Sequence, residues 1–264
     1  IQRKNGGGAT PLSSNNKDLD TNLNKNYNPI MRNYKSRKGF TLAEVLITLG
    51  IIGVVAAITI PTLISNYKQK TLDNQFKKSY ALINQALLNA QGQFGYIPKC
   101  YYPPGVGSGA YISDCIDLTT EFLKTLKITK ICKDKAYENG CIAEYKGYDD
   151  VLKEQHKNDE NYDEEYWQDY ANQNCRGFTA TRILDAKTVY VLSDGTIIFF
   201  YTNDTCIIVA IDINGKNGPN KWGYDLYSFS IRSDGNYIKY VGDACSSPEE
   251  GGSSAQAMIN RLFH

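Results

Sequence analysis

One acidic residue at the start of a membrane-length apolar run constrains this chain more than any other feature. The segment Lys38-Gly39-Phe40-Thr41-Leu42-Ala43-Glu44 leads into an uncharged stretch from Val45 to Tyr67. About 20 apolar residues suffice to cross the hydrocarbon core as a helix. A carboxylate within such a helix costs roughly 2.5–3.5 kcal/mol on insertion scales, so it calls for a partner or a function. The stretch is too long for the apolar core of a secretory signal peptide, about 7–15 residues, and no small-residue A-x-A-like site follows it. It reads as an anchor. Arg32, Lys35, Arg37 and Lys38 precede it with no acidic residue among them, which puts the N-terminus in the cytoplasm and everything after about Lys68 outside. On these residues alone, an ordinary signal anchor with its glutamate near the interface stays open.

The string Gly39-Phe40-Thr41-Leu42-Ala43-Glu44 resembles the prepilin-peptidase site of type IV pilins and of the pseudopilins of type II secretion. The resemblance implies cleavage after Gly39, N-methylation of the new terminus at Phe40, and a role for Glu44 in filament assembly. It implies identical or related pilin subunits, the prepilin peptidase and an inner-membrane assembly platform as partners. The implied location is the bacterial inner membrane, then a periplasmic or cell-surface filament. A freed α-amine at Phe40 has an unperturbed pKa near 7.7–8.0, so it is largely cationic at neutral pH. Meeting Glu44 of a neighbouring subunit, it would offset the desolvation that each charge suffers alone.

The resemblance also organises the rest of the chain. Residues 1–30 are rich in Gly, Asn and Ser, with little apolar content, a composition that cannot offset ordering entropy. They read as a disordered extension upstream of Met31, outside the working protein. Residues 31–39 form a short basic leader, and 40–64 the transmembrane and polymerisation helix. Residues 65–94 continue that helix amphipathically: Leu72, Phe76, Tyr80, Ile83, Leu87, Ala90 and Phe94 recur at spacings of three and four, one apolar stripe. From Phe40 to about Ala90 the helix would measure roughly 75 Å. Pro61 has no N–H to donate, so a kink or loosening is expected there; in pilins a proline at this position accompanies partial melting.

Residues 95–264 are long enough for one head with its own core. A short helix is expected over Asp117–Leu126, with Asp117 or Thr119 as N-cap. The stretch from Cys132 to Gly177 looks polar and irregular. Strands are expected at Thr188–Leu192, Thr196–Tyr201, Cys206–Ile213 and Tyr227–Ile231, with Tyr237–Val241 a weaker fifth. Ser193-Asp194-Gly195 and Ser233-Asp234-Gly235 mark hairpin turns. A long helix on an antiparallel sheet is an α+β, pilin-like fold.

Seven cysteines lie on the exported side, where disulfides persist. Three bridges and one leftover thiol is the economical reading. Cys100–Cys115 and Cys132–Cys141 are the shortest closures, and Cys206–Cys245 would lock the C-terminal hairpins; connectivity is not fixed by sequence. The segment from Asp212 to Asp225 is dense in Asn, Asp and Gly, and oxygen ligands on a folded loop are what Ca²⁺ needs. Asp212, Asn214, Asn217 and Asp225 are the candidate ligands. It is no EF-hand, since Lys216 takes the fifth position and Gly223 the twelfth. The segment is similar to the calcium-binding β-loop of major pseudopilins, while a packing loop anchored by Pro219 and Trp222 is the favoured reading. No other cofactor is implied.

Acids from Asp159 to Asp169 interleave with Tyr162, Tyr166, Trp167 and Tyr170. Such rings suit a sugar or a partner, but a solvated loop or short helix is favoured. A net charge of +1 and the lack of a basic patch argue against nucleic-acid binding. No G-x-S-x-G, H-E-x-x-H or P-loop string occurs, and the two histidines, His156 and His264, stand apart in sequence. The chain reads as a structural subunit rather than an enzyme. The runner-up is a membrane-anchored extracytoplasmic binding protein or adhesin that does not polymerise.

Overall fold

The computed structural model describes residues 39–100, 114–185, 188–202, 205–242, 244–245 and 247–264, of which the side chains at 202, 205 and 206 are excluded. The expected extension and most of the leader lie outside these residues. The described residues divide into two units, one up to Val54 and one from Val55 to His264.

Helix α1 runs from Leu42 to Gln91. Its helical geometry is unbroken through Pro61, where the sequence points to a kink or loosening. Every large apolar side chain from Phe40 to Ile64 is exposed, so this stretch finds no core among the described residues. The apolar stripe of the later turns does. Phe76, Ile83, Leu87 and Ala90 are buried, with Leu72, Tyr80 and Phe94 packed against them.

The head follows in the order α2 (Cys115–Lys124), β1 (Ile128–Lys133), α3 (Tyr148–His156), α4 (Glu164–Asn174) and α5 (Ala180–Ile183). After these come β2 (Thr188–Leu192), β3 (Ile197–Thr202), β4 (Thr205–Asp212), β5 (Leu226–Ser233), β6 (Ile238–Val241) and α6 (Ala255–Phe263). The strands form one six-stranded antiparallel sheet in sequence order, a plain meander. Both expected hairpin turns are present. Gly195 and Gly235 take φ of 89° and 95°, a left-handed backbone that glycine adopts without steric cost. Asp194 and Asp234 accept backbone N–H groups within these turns.

The sheet is covered on both faces, which explains its near-continuous apolar strands. On one face, Phe76 of α1 meets Tyr227 edge-on with ring centroids 4.7 Å apart, and Phe122 of α2 packs on Phe200 and Tyr240. On the other, Phe178 and Tyr145 pack on Phe199, the neighbour of Phe200 along β3. Successive strand residues point to opposite faces, so β3 feeds two cores at once. The outer edge of β6 is closed by side-chain amides of α1. Gln91 exchanges hydrogen bonds with Ile238 (3.0 and 3.1 Å), and Asn84 accepts from the Tyr240 N–H (3.0 Å).

Several sequence expectations are corrected here. The polar middle contains α3 and α4 and helps to cover the second face of the sheet. Strand β1 and helix α6 were not expected. Strand β1 buries only Cys132 fully, so its pattern carries little apolar signal. Helix α2 starts two residues earlier than expected, and its N-cap is Asp114 rather than Asp117 or Thr119. The third bridge joins Cys175 to Cys245, not Cys206 to Cys245. Sequence proximity favoured Cys206, but folding of the α3–α5 segment onto the sheet brings Cys175 to Cys245. The bridges Cys100–Cys115 and Cys132–Cys141 are as expected.

Candidate functional site

The described residues before α1, Gly39 to Thr41, are exposed. Gly39 and Phe40 lie outside the helix and are exposed, and a Cβ added at Gly39 would meet nothing within 4 Å. Phe40 is 88% exposed.

One turn further on, Thr41 and Glu44 close a reciprocal capping box. The Glu44 carboxylate accepts from the Thr41 N–H and hydroxyl, both at 2.8 Å and both through Oε2. The Glu44 N–H in turn donates to the Thr41 Oγ1 at 3.2 Å. The box satisfies N–H groups that a helix start leaves orphaned, and the helix dipole favours an anion at this end. Glu44 is thereby held in place within a single chain. Thr41 was missed as its partner, although Thr-x-x-Glu before an apolar run is a readable capping signal.

The loop between β4 and β5 brings together most of its expected residues. Asp212 and Asp225 are fully buried, and Asn214 nearly so. Asp212 accepts from the Tyr145 hydroxyl at 2.7 Å and from the Asn214 N–H at 3.1 Å. Asp225 accepts from the N–H groups of Asn220 and Lys221, both at 2.8 Å. Burial pushes the Asp212 carboxyl up to about 7; the Tyr145 hydroxyl pulls it back and the nearby Asp225 charge adds to the rise. Burial also raises Asp225, against the pull of its two backbone donors. Asn217 is set apart: it is exposed, and its amide donates to the Asn214 carbonyl. Trp222 anchors the loop as expected, donating from Nε1 to the Lys146 carbonyl at 2.9 Å. An open groove of about 620 Å³ lies between this loop and α1, lined by Tyr67, Lys68, Leu72, Asn214, Pro219 and Tyr224.

The aromatic and acidic segment forms α4 and the turn before it. Asp163 caps the helix by accepting from the N–H groups of Glu165 and Tyr166. Trp167 stacks on His156 of α3 with ring centroids 3.6 Å apart, and Tyr166 and Tyr170 stay exposed beside it. These rings mainly tie α3 to α4. Among the described residues, no group of three or more His, Cys, Asp or Glu side chains is placed to hold a metal ion.

Comparison with known proteins bears on the first of these regions. Residues 34–60 match the prokaryotic N-terminal methylation motif. The chain is 25% identical over 122 residues to the type IV major pilin protein PilE of Neisseria gonorrhoeae, a match covering 45% of this chain and 61% of that protein. The chain therefore spans about three fifths of the length of this relative. No solved structure gives a significant match. With a long apolar N-terminal helix followed by an antiparallel sheet, the protein is type IV pilin-like.

Proposed function

We propose that the protein is a structural subunit of a type IV pilus or a type II secretion pseudopilus. A prepilin peptidase cuts after Gly39, Phe40 is methylated on its new amine, and copies pack side by side through α1. The amine of one copy meets Glu44 of the next. Two charges drawn together out of water offset each other's desolvation, whereas one left alone is costly. Glu44 thus sets the axial stagger between copies.

The observation that carries this reading is a carboxylate in the first turn of a helix whose apolar span stays exposed among the described residues. The match of residues 34–60 to the methylation motif supports it. The N-terminus stays cytoplasmic and the head is exported, which suits the three disulfides. The role is architectural, with no catalytic step assigned to the head.

Glu44→Ala tests the reading. Membrane insertion should persist while incorporation into filaments, followed by shearing and immunoblotting, falls to background. Normal incorporation of this variant would remove the mechanism, and would favour an anchored binding protein that never polymerises.

A further inference from the structure

The groove between α1 and the β4–β5 loop is left unused by the proposed assembly. Its α1 wall begins at Ser65 and Tyr67 and passes Lys68, and Asn217, Pro219 and Tyr224 face it from the loop. Its volume of about 620 Å³ lies within the range of small-ligand sites, about 300–1,000 Å³. Lys68 is the only charged residue that lines it. Among the described residues, Lys68 forms no ion pair. The carboxylates nearby are turned to other partners: Asp73 pairs with Arg261, and Asp225 accepts the N–H groups of Asn220 and Lys221. A concave site lined by one unpaired cation and no acid favours an anion.

The place of the groove along α1 points to the source of that anion. Val55, Ile58, Leu63 and Ile64 belong to the same unit as the head and are exposed apolar side chains. Helix α1 runs unbroken from them into the groove wall. At about 1.5 Å per residue, Lys68 lies about 6 Å beyond Ile64 along the helix. The headgroup layer on each side of a bilayer's hydrocarbon core is about 5–7.5 Å thick. With the apolar turns in hydrocarbon, the mouth of the groove falls among headgroups. Tyr67, which is 73% exposed, is the kind of ring that settles at that depth, and a lysine there extends its ammonium towards phosphate.

We propose that the groove seats the headgroup of an anionic phospholipid from the leaflet on the head's side of the membrane, with Lys68 on its phosphate. The Ser65 hydroxyl and the Gln75 amide, which also line the groove, supply neutral donors. Leu72 and Pro219 offer apolar surface to the top of the acyl chains. A zwitterionic headgroup brings its own ammonium against Lys68, so anionic lipid is preferred. The attraction of one lysine to anionic lipid amounts to about fivefold in binding. The seated lipid holds the base of the head at the bilayer surface. This inference rests on α1 as a membrane anchor and not on its polymerisation.

The test uses the full chain in vesicles of phosphatidylcholine with a minority of phosphatidylglycerol, floated on a density gradient and then released in detergent for native mass spectrometry. Relative to its share of the vesicle, phosphatidylglycerol should be retained over phosphatidylcholine by about fivefold. Lys68→Gln should erase the preference. Lys70→Gln should keep it, since Lys70 carries the same charge two residues on but does not line the groove. Equal retention of the two lipids, a preference that survives Lys68→Gln, or equal loss in both variants overturns the proposal. Inorganic phosphate in excess should not displace the lipid; displacement would make the groove a site for free anions instead. Photoreactive benzoylphenylalanine in place of Asn217 should yield a lipid adduct, whereas a chain–chain adduct puts a second copy in the groove and overturns the lipid. A chain that fails to float overturns the anchor and the lipid site together, and one that floats without a preference overturns the lipid site alone.

Discussion

Thr41 and Glu44 hold each other across one helical turn, and that contact changes what the acid needs. Within a lone chain its Oε2 has two donors at 2.8 Å, so the carboxylate is already partly satisfied. In the proposed filament a neighbouring copy then has to add a charge partner rather than a first hydrogen bond. Thr41→Val removes the hydroxyl and keeps the N–H. Loss of such a cap costs about 1 kcal/mol. Amide exchange at residues 42–45 should therefore quicken, and filament incorporation should fall without vanishing, in contrast to Glu44→Ala. Gly39→Val should block maturation and leave a single unprocessed band on immunoblots. At this scale the N-terminal methylation motif was readable, because it is a contiguous string. The burial of Asp212 and Asp225 was not, because it is a property of the folded loop and not of its residue types.

At the scale of elements, α6 acts as a clasp on the lower turns of the head-bearing part of α1. Arg261 makes two hydrogen bonds to Asp73, at 2.7 and 3.1 Å, and Phe263 packs on Tyr80 with ring centroids 5.2 Å apart. Exposed ion pairs contribute roughly 0–1 kcal/mol, with bidentate arginine pairs towards the upper end. Arg261→Ala should lower Tm by about 2–4 °C in a domain of this size. Phe76→Ala should cost about 3–5 kcal/mol, since its ring lies at the junction with Tyr227 and Phe229. Thermal unfolding reads the first and chemical denaturation the second. The strands β2 to β6 were legible because each alternates or runs apolar, and Gly195 and Gly235 mark two of the turns. Strand β1, with lysines at 130 and 133, offers no such contrast. Helices α3, α4 and α6 were obscured for another reason: each is short, and their polar surfaces outweigh a few buried side chains. The continuous run Ile197-Ile198-Phe199-Phe200 already carried the sign of a sheet covered on both faces.

For the molecule as a whole, the bridge between Cys175 and Cys245 matters most, because it closes the longest loop, 70 residues against 15 and 9. Chain-entropy arguments give about 4 kcal/mol for a loop of this length and about 2.5 kcal/mol for the nine-residue one. Urea midpoints should accordingly fall further for the paired change Cys175→Ser with Cys245→Ser than for Cys132→Ser with Cys141→Ser. A subunit that bears load outside the cell benefits from such ties. Everything proposed for that subunit begins with a new terminus facing Glu44, and mass spectrometry of the N-terminal peptide from native membranes and sheared surface fractions reads it directly. A peptide starting at N-methylated Phe40 is the expected result. A native product that retains Lys38-Gly39 ahead of an unmethylated Phe40 would contradict assembly through α1.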